Sequence, residues 1–555
     1  MKFAGFTLAL AGIFAGNALG QTPTVGGLLN NYSYTLPGLP NYGIAQGSIF
    51  VIYGTNFSSS QIGLQSPPTT PLSGVTISVT VNGTATSPPL YYLYPTQIAA
   101  VLPSATPVGT GSITVTTSAG TSTAFPIQVV ASAFGLLTSN NGSGPAQGYD
   151  ANLDPNNQYT LFGFSAAANP GDILLLWGSG LGPVANDATG VAVSGTVTVY
   201  IGGIAVKPQY AGRSEFTGLD QINVQVPSGL SGCYVSVVVQ TGNIVSNFAT
   251  LPVTASGRTC VDADSPLTAS VLDQLSQTGS LNMGLISVNQ VTTPGITVEG
   301  VTVGGGTTDV GSASFEKITS AQIGAGAFAA VLGGYSSIGS CFVDFFNTTS
   351  TSSTSLPLAF QFTSLNAGPD GTLAMPLQTL SGIDTYTTPA GTAAFIPSSG
   401  GTFTFNNGSG GGPDIGAFTT PQIQIAAPVT WSSATSSIST VTRSNGLTVS
   451  WTGGAAGTHV DITGISLEAV NGTTTNYLAG FFSCRAPTEA GTFTVPPAVL
   501  LSLPPSSTIT EDGVTISTSI LLLSNFAVPV NFTAPHLDVG LVEAGVENIL
   551  FVAYK

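Results

Sequence analysis

Three short motifs occur twice in this chain, in the same order. Each first copy and its repeat are Gly47–Gly54 with Gly171–Gly178, Val79–Gly83 with Val199–Gly203, and Gln97–Pro103 with Gln221–Pro227. The first and third pairs are offset by 124 residues and the middle pair by 120. A shared order and a near-constant offset indicate a duplicated module. A short tandem module is more typical of a scaffold or binding surface than of a catalytic unit.

Both copies have the pattern of short β-strands. In residues 75–81 apolar side chains alternate with Thr and Ser, as they do along a half-buried strand. The pairs Asn82-Gly83 and Gly202-Gly203 are signals for tight hairpins. About seven short strands per copy, with turn signals about every 8–12 residues, predict an immunoglobulin-like (Ig-like) β-sandwich for each module.

The repeat stops after residue 256, but short strands between Gly, Pro, Asn and Ser turns continue. We predict a strand at Ile296–Val303 and short helices at Ser265–Gln277 and Pro497–Leu503. The chain is therefore predicted to be all-β, with tandem Ig-like β-sandwich modules followed by a larger β-rich C-terminal region with one or two short helices. The predicted segments are a signal peptide at 1–20, an N-terminal leader at 21–44, module 1 at 45–132, module 2 at 133–256, a β-rich connecting region with a short helix at 257–340 and a C-terminal β domain at 341–555.

The N-terminus has the features of a secretory signal peptide. Lys2 precedes an apolar run at 3–15, and the small residues Ala18 and Gly20 precede Gln21. This run is shorter than the ~20 residues that a membrane-spanning helix needs. We therefore predict cleavage after Gly20 and a secreted or cell-surface protein that is not inserted in a membrane.

The charge composition excludes two classes of partner. Charged residues are only 6% of the chain, against about 25% in ordinary soluble domains. Eight Lys and Arg residues are scattered among 24 Asp and Glu residues, and the formal net charge is −16. A nucleic-acid backbone requires clustered basic residues, and an anionic membrane surface repels a chain of this charge. No motif indicates a cofactor.

Four cysteines, an even number, are expected to form disulfides in an oxidising compartment. Three pairings are open, and we predict the local one, Cys233 with Cys260 and Cys341 with Cys484. No two cysteines have the Cys-x-x-Cys spacing, so zinc or thioredoxin-like chemistry is not indicated.

The motifs of the second copy carry a family resemblance. Gly171–Pro183, Val199–Gly203, Gly218–Pro227 and Val245–Asn247 together resemble the uncharacterised C-terminal domain of secreted acidobacterial (Solibacter-type) proteins, which is similar to Ig-like IPT/TIG modules. The resemblance covers about residues 45–255 and is weaker in the first copy, where Ala99 replaces an Asn. It implies an Ig-like fold and secretion, and the family brings no established activity.

Catalytic motifs are missing from the sequence. His459 and His536 each lie two residues before an Asp, but no Gly-x-Ser-x-Gly, His-Glu-x-x-His, P-loop or Gly-x-Gly-x-x-Gly motif occurs. We interpret both histidines as strand-edge or turn residues that are dispensable for activity. No catalytic, cofactor-binding or metal-binding residue is predicted.

Carboxylates remain the alternative source of chemistry. Glu299, Glu316, Asp344 and Asp461 are candidates for a glycosidase pair, although a sequence cannot give their separations. Residues 150–156 alternate oxygen ligands as calcium loops do, but Pro155 stands where a Gly is needed, so this segment is interpreted as a turn. Asp262 and Asp264, beside Cys260, are a weaker candidate for calcium, and Asp264 is interpreted as the residue that precedes the predicted helix.

Three clustered tyrosines, Tyr91, Tyr92 and Tyr94, have two interpretations. They alternate between core and surface, or they form an exposed face for sugar rings or partner proteins. We predict a secreted non-catalytic protein for adhesion, matrix or polymer binding, with an extracellular polymer, glycan or protein surface as partner. The alternative is a glycosidase-like extracellular hydrolase with its catalytic region at 257–555, which requires a cleft with two facing carboxylates.

Overall fold

The computed structural model describes residues 21–555 apart from internal gaps. The undescribed residues in this range are 141, 153–159, 263–267, 269–270, 272–277, 279, 294–295, 299–300, 304, 320–335, 348–363, 368–371, 381–382, 390, 413, 426–427, 434–439, 470–476 and 512–513. The predicted signal peptide and most of the predicted helix at Ser265–Gln277 lie outside the described residues.

Module 1 is a sandwich of two sheets. Its strands are β1 (Thr24–Asn30), β2 (Ile44–Ala45), β3 (Ile49–Thr55), β4 (Thr76–Val81), β5 (Thr84–Thr86), β6 (Leu90–Leu93), β7 (Gln97–Val101), β8 (Gly109–Thr117), β9 (Gly120–Thr121) and β10 (Phe125–Val130). The spatial orders are β1-β3-β7-β6 and β2-β10-β8-β4-β5, with β9 beside β8. Apolar side chains of both sheets form one core. Residues 24–30, predicted as part of a leader, belong to this sandwich because their backbone pairs with β3.

Module 2 repeats the arrangement. Its strands are β11 (Gly135–Leu136), β12 (Thr138–Asn140), β13 (Ser143–Ala146), β14 (Gly148–Asp150), β15 (Ile173–Ser179), β16 (Val197–Ile201), β17 (Ile204–Val206), β18 (Tyr210–Arg213), β19 (Asp220–Gln225), β20 (Gly232–Thr241), β21 (Ile244–Val245) and β22 (Ala249–Val253). One sheet runs β11-β15-β19-β18 with β14 beside β15, and the other runs β12-β13-β22-β20-β16-β17 with β21 beside β20. A second core lies between them.

Strand register confirms the predicted duplication. In module 1, β3 pairs with β7 so that Tyr53 faces Gln97. In module 2, β15 pairs with β19 so that Trp177 faces Gln221. Both residues of the second pair stand 124 positions after those of the first. The motifs therefore occupy equivalent strands in two Ig-like sandwiches.

The recurrence of Gly54 as Gly178 has a steric cause. A Cβ on Gly54 would overlap the carbonyl oxygen of Thr24 in the neighbouring strand β1. A Cβ on Gly178 would overlap the carbonyl oxygen of Gly135 in the neighbouring strand β11. Each module thus needs a residue without a side chain where its edge strand crosses close to the central strand.

The C-terminal region is also built of strands. They are β23 (Ser280–Thr293), β24 (Ile296–Val298), β25 (Val301–Val303), β26 (Gly306–Thr319), β27 (Cys341–Asn347), β28 (Ser364–Ala367), β29 (Thr372–Leu373), β30 (Leu377–Leu380), β31 (Ile383–Thr387), β32 (Gly401–Asn406), β33 (Ile423–Ile425), β34 (Val429–Trp431), β35 (Thr440–Val441), β36 (Leu447–Gly453), β37 (His459–Ala469), β38 (Tyr477–Pro487), β39 (Thr492–Val495), β40 (Thr508–Glu511), β41 (Val514–Ser517), β42 (Ser519–Phe526), β43 (Val530–Phe532) and β44 (Val539–Tyr554). The predicted strand at Ile296–Val303 is instead the hairpin β24–β25. The predicted helix at Pro497–Leu503 is observed as α1 (Pro497–Ser502).

One sheet of 11 strands organises this region. Its main path is β27-β38-β37-β42-β44-β23-β26-β31-β30, and β35 and β43 also pair with β44. Strand β44 runs antiparallel to β42 and parallel to β23. Strands on both sides of the boundary predicted at residue 340 hydrogen-bond within this sheet. The predicted connecting region at 257–340 and the predicted C-terminal domain at 341–555 therefore share one β-sheet.

Two disulfides have the predicted connectivity. Cys233 of β20 is bonded to Cys260, which follows module 2. Cys341 and Cys484 face each other in the register of β27 and β38 and are bonded across that strand pair. The first bridge fixes the segment that leaves module 2, and the second fastens β27 to the large sheet.

Candidate functional site

A β-bulge determines where the clustered tyrosines point. The register of β6 against β7 shifts between Leu90 and Tyr92. Leu90 and Leu93 therefore enter the core of module 1, while Tyr91 and Tyr92 both pack on the opposite, outer side of the sheet. The expectation that these two tyrosines alternate between core and surface is wrong, because a bulge places two successive residues opposite one partner.

Four partly exposed tyrosines form an aromatic surface on this outer side, which we call the tyrosine face. The face consists of Tyr34, Tyr53, Tyr92 and Tyr94, together with Gln97. The rings of Tyr92 and Tyr94 stack with centroids 4.7 Å apart and planes 25° apart. Gln97 Nε2 donates a hydrogen bond of 2.8 Å to Tyr92 Oη. Tyr34 and Tyr53 lie close to each other and to Tyr92, since each influences the titration of a neighbouring phenol.

The tyrosine face is uncharged. Burial, assisted by the neighbouring Tyr34, raises the pKa of Tyr53 to about 12. Burial also raises the pKa of Tyr92 and Tyr34 above the ordinary tyrosine value. All three phenols therefore stay neutral at physiological pH and keep their O–H groups as donors and acceptors. The face offers flat apolar rings edged by hydroxyl and amide groups.

Module 2 carries an equivalent aromatic surface, which sequence reasoning missed. We call it the tryptophan face, and it consists of Tyr149, Trp177, Tyr210, Gln221 and Asn223. All five side chains are partly exposed. The rings of Tyr149 and Trp177 meet edge to face, with centroids 6.4 Å apart. Gln221 Nε2 donates a hydrogen bond of 2.7 Å to Asn223 Oδ1. The signal was available, since the 124-residue offset maps Tyr53 and Gln97 onto Trp177 and Gln221.

A buried ion pair connects module 2 to module 1. Arg213 has no exposed surface and donates from Nη1 to Asp220 Oδ1 at 2.6 Å. Its Nη2 lies 3.5 Å from Asp187 Oδ1, and Asp187 accepts hydrogen bonds from the backbone N–H and side-chain hydroxyl of Ser104 in module 1. Gly47, with a φ of +74°, leaves room for the Arg213 guanidinium, which a side chain at 47 would displace.

Further contacts hold the same interface. Ser179 Oγ at the end of β15 accepts a hydrogen bond of 2.8 Å from the Ile49 N–H at the start of β3. Tyr91 Oη donates to the Thr217 carbonyl, and Leu219 packs against Tyr91 and Ile49. Tyr91, unlike the rest of its cluster, therefore serves the contact between the modules.

His459 is a buried structural residue. It lies in β37, between β38 and β42, with Nε2 3.6 Å from Asp461 Oδ2. Arg485 donates to both oxygens of Asp461 at 2.8 Å each. Burial, together with the charge of Arg485, lowers the pKa of His459 to about 4. The strand-edge or turn interpretation is wrong for His459, whereas His536 lies exposed in a turn, with a φ of +69°.

The predicted carboxylate candidates are not brought together. Glu299 lies outside the described residues, and Glu316 is four strands from Asp461 and six from Asp344 in the large sheet. Asp344 and Asp461 are two strands and four register positions apart, which separates their Cα atoms by about 16 Å. Glycosidase pairs need a separation of about 5–9.5 Å. Burial raises the pKa of Asp344 to about 6.

Glu547 is the carboxylate that the register places nearer to Asp461. Both face Ser524, from β44 and β37 respectively, so they are two strands apart, or about 10 Å. Burial raises the pKa of Glu547, which accepts a hydrogen bond from Asn289. Because Arg485 binds both oxygens of Asp461, that carboxylate acts as a counterion rather than as a free base.

Asp150 and Asp262, the described acidic residues among the calcium candidates, have protein partners. Arg258 Nη1 lies 3.0 Å from Asp150 Oδ2 and 2.5 Å from Asp172 Oδ2. Asp262 Oδ2 accepts hydrogen bonds from the Cys233 N–H and the Ser337 hydroxyl. Asp264 and residues 153–156 of the predicted loop lie outside the described residues. In the part of the chain that the structure describes, no three His, Cys, Asp or Glu side chains group closely enough to hold a metal ion.

No protein-family model matches this chain, and no curated protein sequence matches it. Among solved structures, the plexin A4 extracellular region is 15% identical over 42% of this chain and 18% of that chain, with a TM-score of 0.16. SGBP-B from a xyloglucan utilization locus of Bacteroides uniformis is 14% identical over 54% and 67%, with a TM-score of 0.15. The Bacteroides ovatus SGBP-B, in complex with a mixed-linkage heptasaccharide, is 10% identical over 86% and 98%, with a TM-score of 0.13. Likeness at this level carries no functional argument.

Among the described residues, no helix combines the length and the apolarity needed to cross a membrane.

Proposed function

We propose that this protein binds an uncharged extracellular glycan, without catalysis, at the tyrosine face of module 1. One observation carries the proposal. Four partly exposed tyrosine rings and the Gln97 amide are fixed side by side on the outer surface of a sheet. This surface suits a ligand that presents both flat apolar patches and hydroxyl groups, as a saccharide does.

Rigidity makes such a surface efficient. The Tyr92 ring is already held by its stack on Tyr94 and by the hydrogen bond from Gln97, so little of its side-chain freedom is lost when a ligand binds. The net charge of −16 repels polyanions, which favours a neutral polymer. The two disulfides support an oxidising, extracellular compartment. Secretion through a signal peptide at 1–20, and membership of the IPT/TIG-like acidobacterial family, are parts of the same proposal and rest on the sequence motifs.

The test is binding to a panel of neutral and anionic polysaccharides by affinity electrophoresis and calorimetry. We expect retardation by at least one neutral polysaccharide and by no anionic one. Tyr94→Ala should weaken binding tenfold or more, whereas Tyr94→Phe, which keeps the ring, should weaken it less. Phe216→Ala is the matched control, because Phe216 is an aromatic residue outside the face with 53% of its surface exposed.

Two results would contradict the proposal. One is native affinity in Tyr94→Ala with an unchanged circular dichroism spectrum. The other is hydrolysis of a panel of chromogenic glycosides by the native protein, which would support the hydrolase alternative instead. A Tyr94→Ala variant that still hydrolysed them would place that activity away from the tyrosine face.

A further inference from the structure

We infer that the tryptophan face of module 2 is a second binding site for the same uncharged glycan, and that both faces bind one polymer chain together. This inference rests on the proposed function of module 1. It concerns side chains to which the sequence analysis assigned no function. Three observations support it: equivalent register, matching side-chain chemistry and a fixed spacing.

Equivalence comes from the strand pairing. An aromatic ring faces a glutamine across the central strand pair in both modules, Tyr53 with Gln97 and Trp177 with Gln221. The residue just before each ring, Ile52 in module 1 and Leu176 in module 2, points into the core. Because side chains alternate along a strand, both aromatic–amide pairs lie on the outer surface of their sheets.

The tryptophan face extends across four strands. Register places Tyr149 beside Leu175, Leu175 beside Asn223, and Asn223 beside Tyr210. These residues form a continuous row, roughly 14 Å across the strands. Trp177 and Gln221 form the next row on the same side. No member of either row is charged, so the face has the same chemistry as the tyrosine face.

A groove prolongs the tryptophan face at its edge. It has a volume of about 580 Å³ and is lined by residues that include Val193, Val206, Lys207, Gln209 and Tyr210. Tyr210 belongs to both the face and the groove. The groove opens at the edge of the sandwich, where Val193 and Val206 also pack against the module 2 core.

The spacing of the two faces is fixed by the interface between the modules. The Ile49 N–H to Ser179 Oγ bond joins the start of β3 to the end of β15. Tyr53 lies four residues beyond Ile49, and Trp177 lies two residues before Ser179. At about 3.3 Å per residue, the Cα atoms of Tyr53 and Trp177 are at most ~27 Å apart. One polymer chain can reach both, and a second site held this close raises the effective ligand concentration.

The experiment compares a short oligosaccharide with the long polymer of the same repeat, using calorimetry on the full chain. A trisaccharide should bind the native protein at two sites, and Trp177→Ala should reduce this stoichiometry to one. For the long polymer, Trp177→Ala and Tyr94→Ala should each lower the apparent affinity at least tenfold, because either change removes avidity. Leu64→Ala is the control, because Leu64 lies outside both faces and 73% of its surface is exposed.

The possible outcomes separate the two proposals. Native stoichiometry and polymer affinity in Trp177→Ala would overturn the second site while leaving the tyrosine face intact. If Trp177→Ala abolished all binding while Tyr94→Ala kept native binding, the tyrosine face would be overturned instead. If Trp177→Ala does not fold, Gln221→Ala removes the neighbouring amide and must reduce the stoichiometry in the same way. Unchanged trisaccharide binding in a folded Gln221→Ala variant would then count against the second site.

Discussion

Arg213 and Asp220 form an ion pair from which solvent is fully excluded. Nη1 of Arg213 and Oδ1 of Asp220 are 2.6 Å apart, and neither side chain has any exposed surface. Asp220 uses its other oxygen to accept hydrogen bonds from the N–H groups of Gly180 and Leu181. The pair thus connects β18, β19 and the segment after β15 at the place where module 1 packs against module 2.

The first prediction concerns this pair. Arg213→Met should lower the free energy of unfolding by about 3–5 kcal/mol, because it leaves the Asp220 carboxylate buried without its partner. Replacing both residues, as Arg213→Met with Asp220→Leu, should cost less than the single change. Urea denaturation measures both losses, and the exposed Lys317→Met is the control. A loss under about 1 kcal/mol in the single variant would show that the pair is not needed.

The second prediction is a pH dependence that comes from His459. The pKa of His459 is about 4 in the folded chain and 6.5 for the free side chain. The stability that comes from keeping His459 neutral is therefore fully present above pH 6.5. As the pH falls from 6.5 to 4, the unfolded chain takes up a proton that the folded chain does not. Up to about 3 kcal/mol of stability is therefore lost in this range.

Replacing His459 separates this effect from the titration of carboxylates. Denaturation at pH 7.0 and 4.5 should show a smaller difference in His459→Gln than in the native protein. His536→Gln, at an exposed turn, should keep the native difference. Equal pH dependence in all three proteins would mean that His459 does not titrate as its burial requires. Neither substitution should alter glycan binding.

The third prediction tests the steric role of the repeated glycine. Gly54→Ala and Gly178→Ala should each destabilise their module by about 1–3 kcal/mol or more, because the added Cβ overlaps the backbone of the neighbouring edge strand. Gly63→Ala is the matched control, since a Cβ at that position meets no atom within 4 Å. Thermal unfolding measures all three, and a tolerated Gly54→Ala would contradict the steric explanation.

The fourth prediction concerns the Cys341–Cys484 bridge. Strand β27 is the edge strand of the large sheet and pairs with β38 alone on the main path. Changing both cysteines to Ser should lower stability by about 2–4 kcal/mol. Hydrogen exchange should then increase first in residues 341–347. Increased exchange in β37 and β42 before β27 would be inconsistent with a local role.

Local patterns gave the architecture of the modules, since alternation and hairpin signals depend on neighbouring residues. They predicted two sandwiches, while the 124-residue repeat predicted their equivalence and the choice of the local pairing predicted the disulfide partners. Two features required knowledge of non-local pairing. The bulge at Tyr91 turns two successive side chains outward, and nothing in residues 90–93 marks the extra residue. Burial of His459 depends on strands β38 and β42, which flank β37 on both sides.

The tryptophan face illustrates the same limit. Its members come from β14, β15, β18 and β19, separated by up to 74 residues between Tyr149 and Asn223. No local pattern connects them, and only the register brings them into two rows. The repeat did connect Trp177 to Tyr53 and Gln221 to Gln97, so two of the five members could be predicted from the sequence. The tyrosines at 149 and 210 became visible only with the sheet.

The parallel pairing of β23 with β44 constrains how the protein folds. Ile286 pairs with Val542, 256 positions later, whereas the sheets of each module join strands much closer in sequence. Non-local pairings of this kind form slowly, because a large loop must close first. Until β44 pairs with β23, the hairpin of β23 and β26 therefore has an unpaired apolar strand at its edge. Refolding should thus have a fast phase from the modules and a slow, aggregation-prone phase from the large sheet.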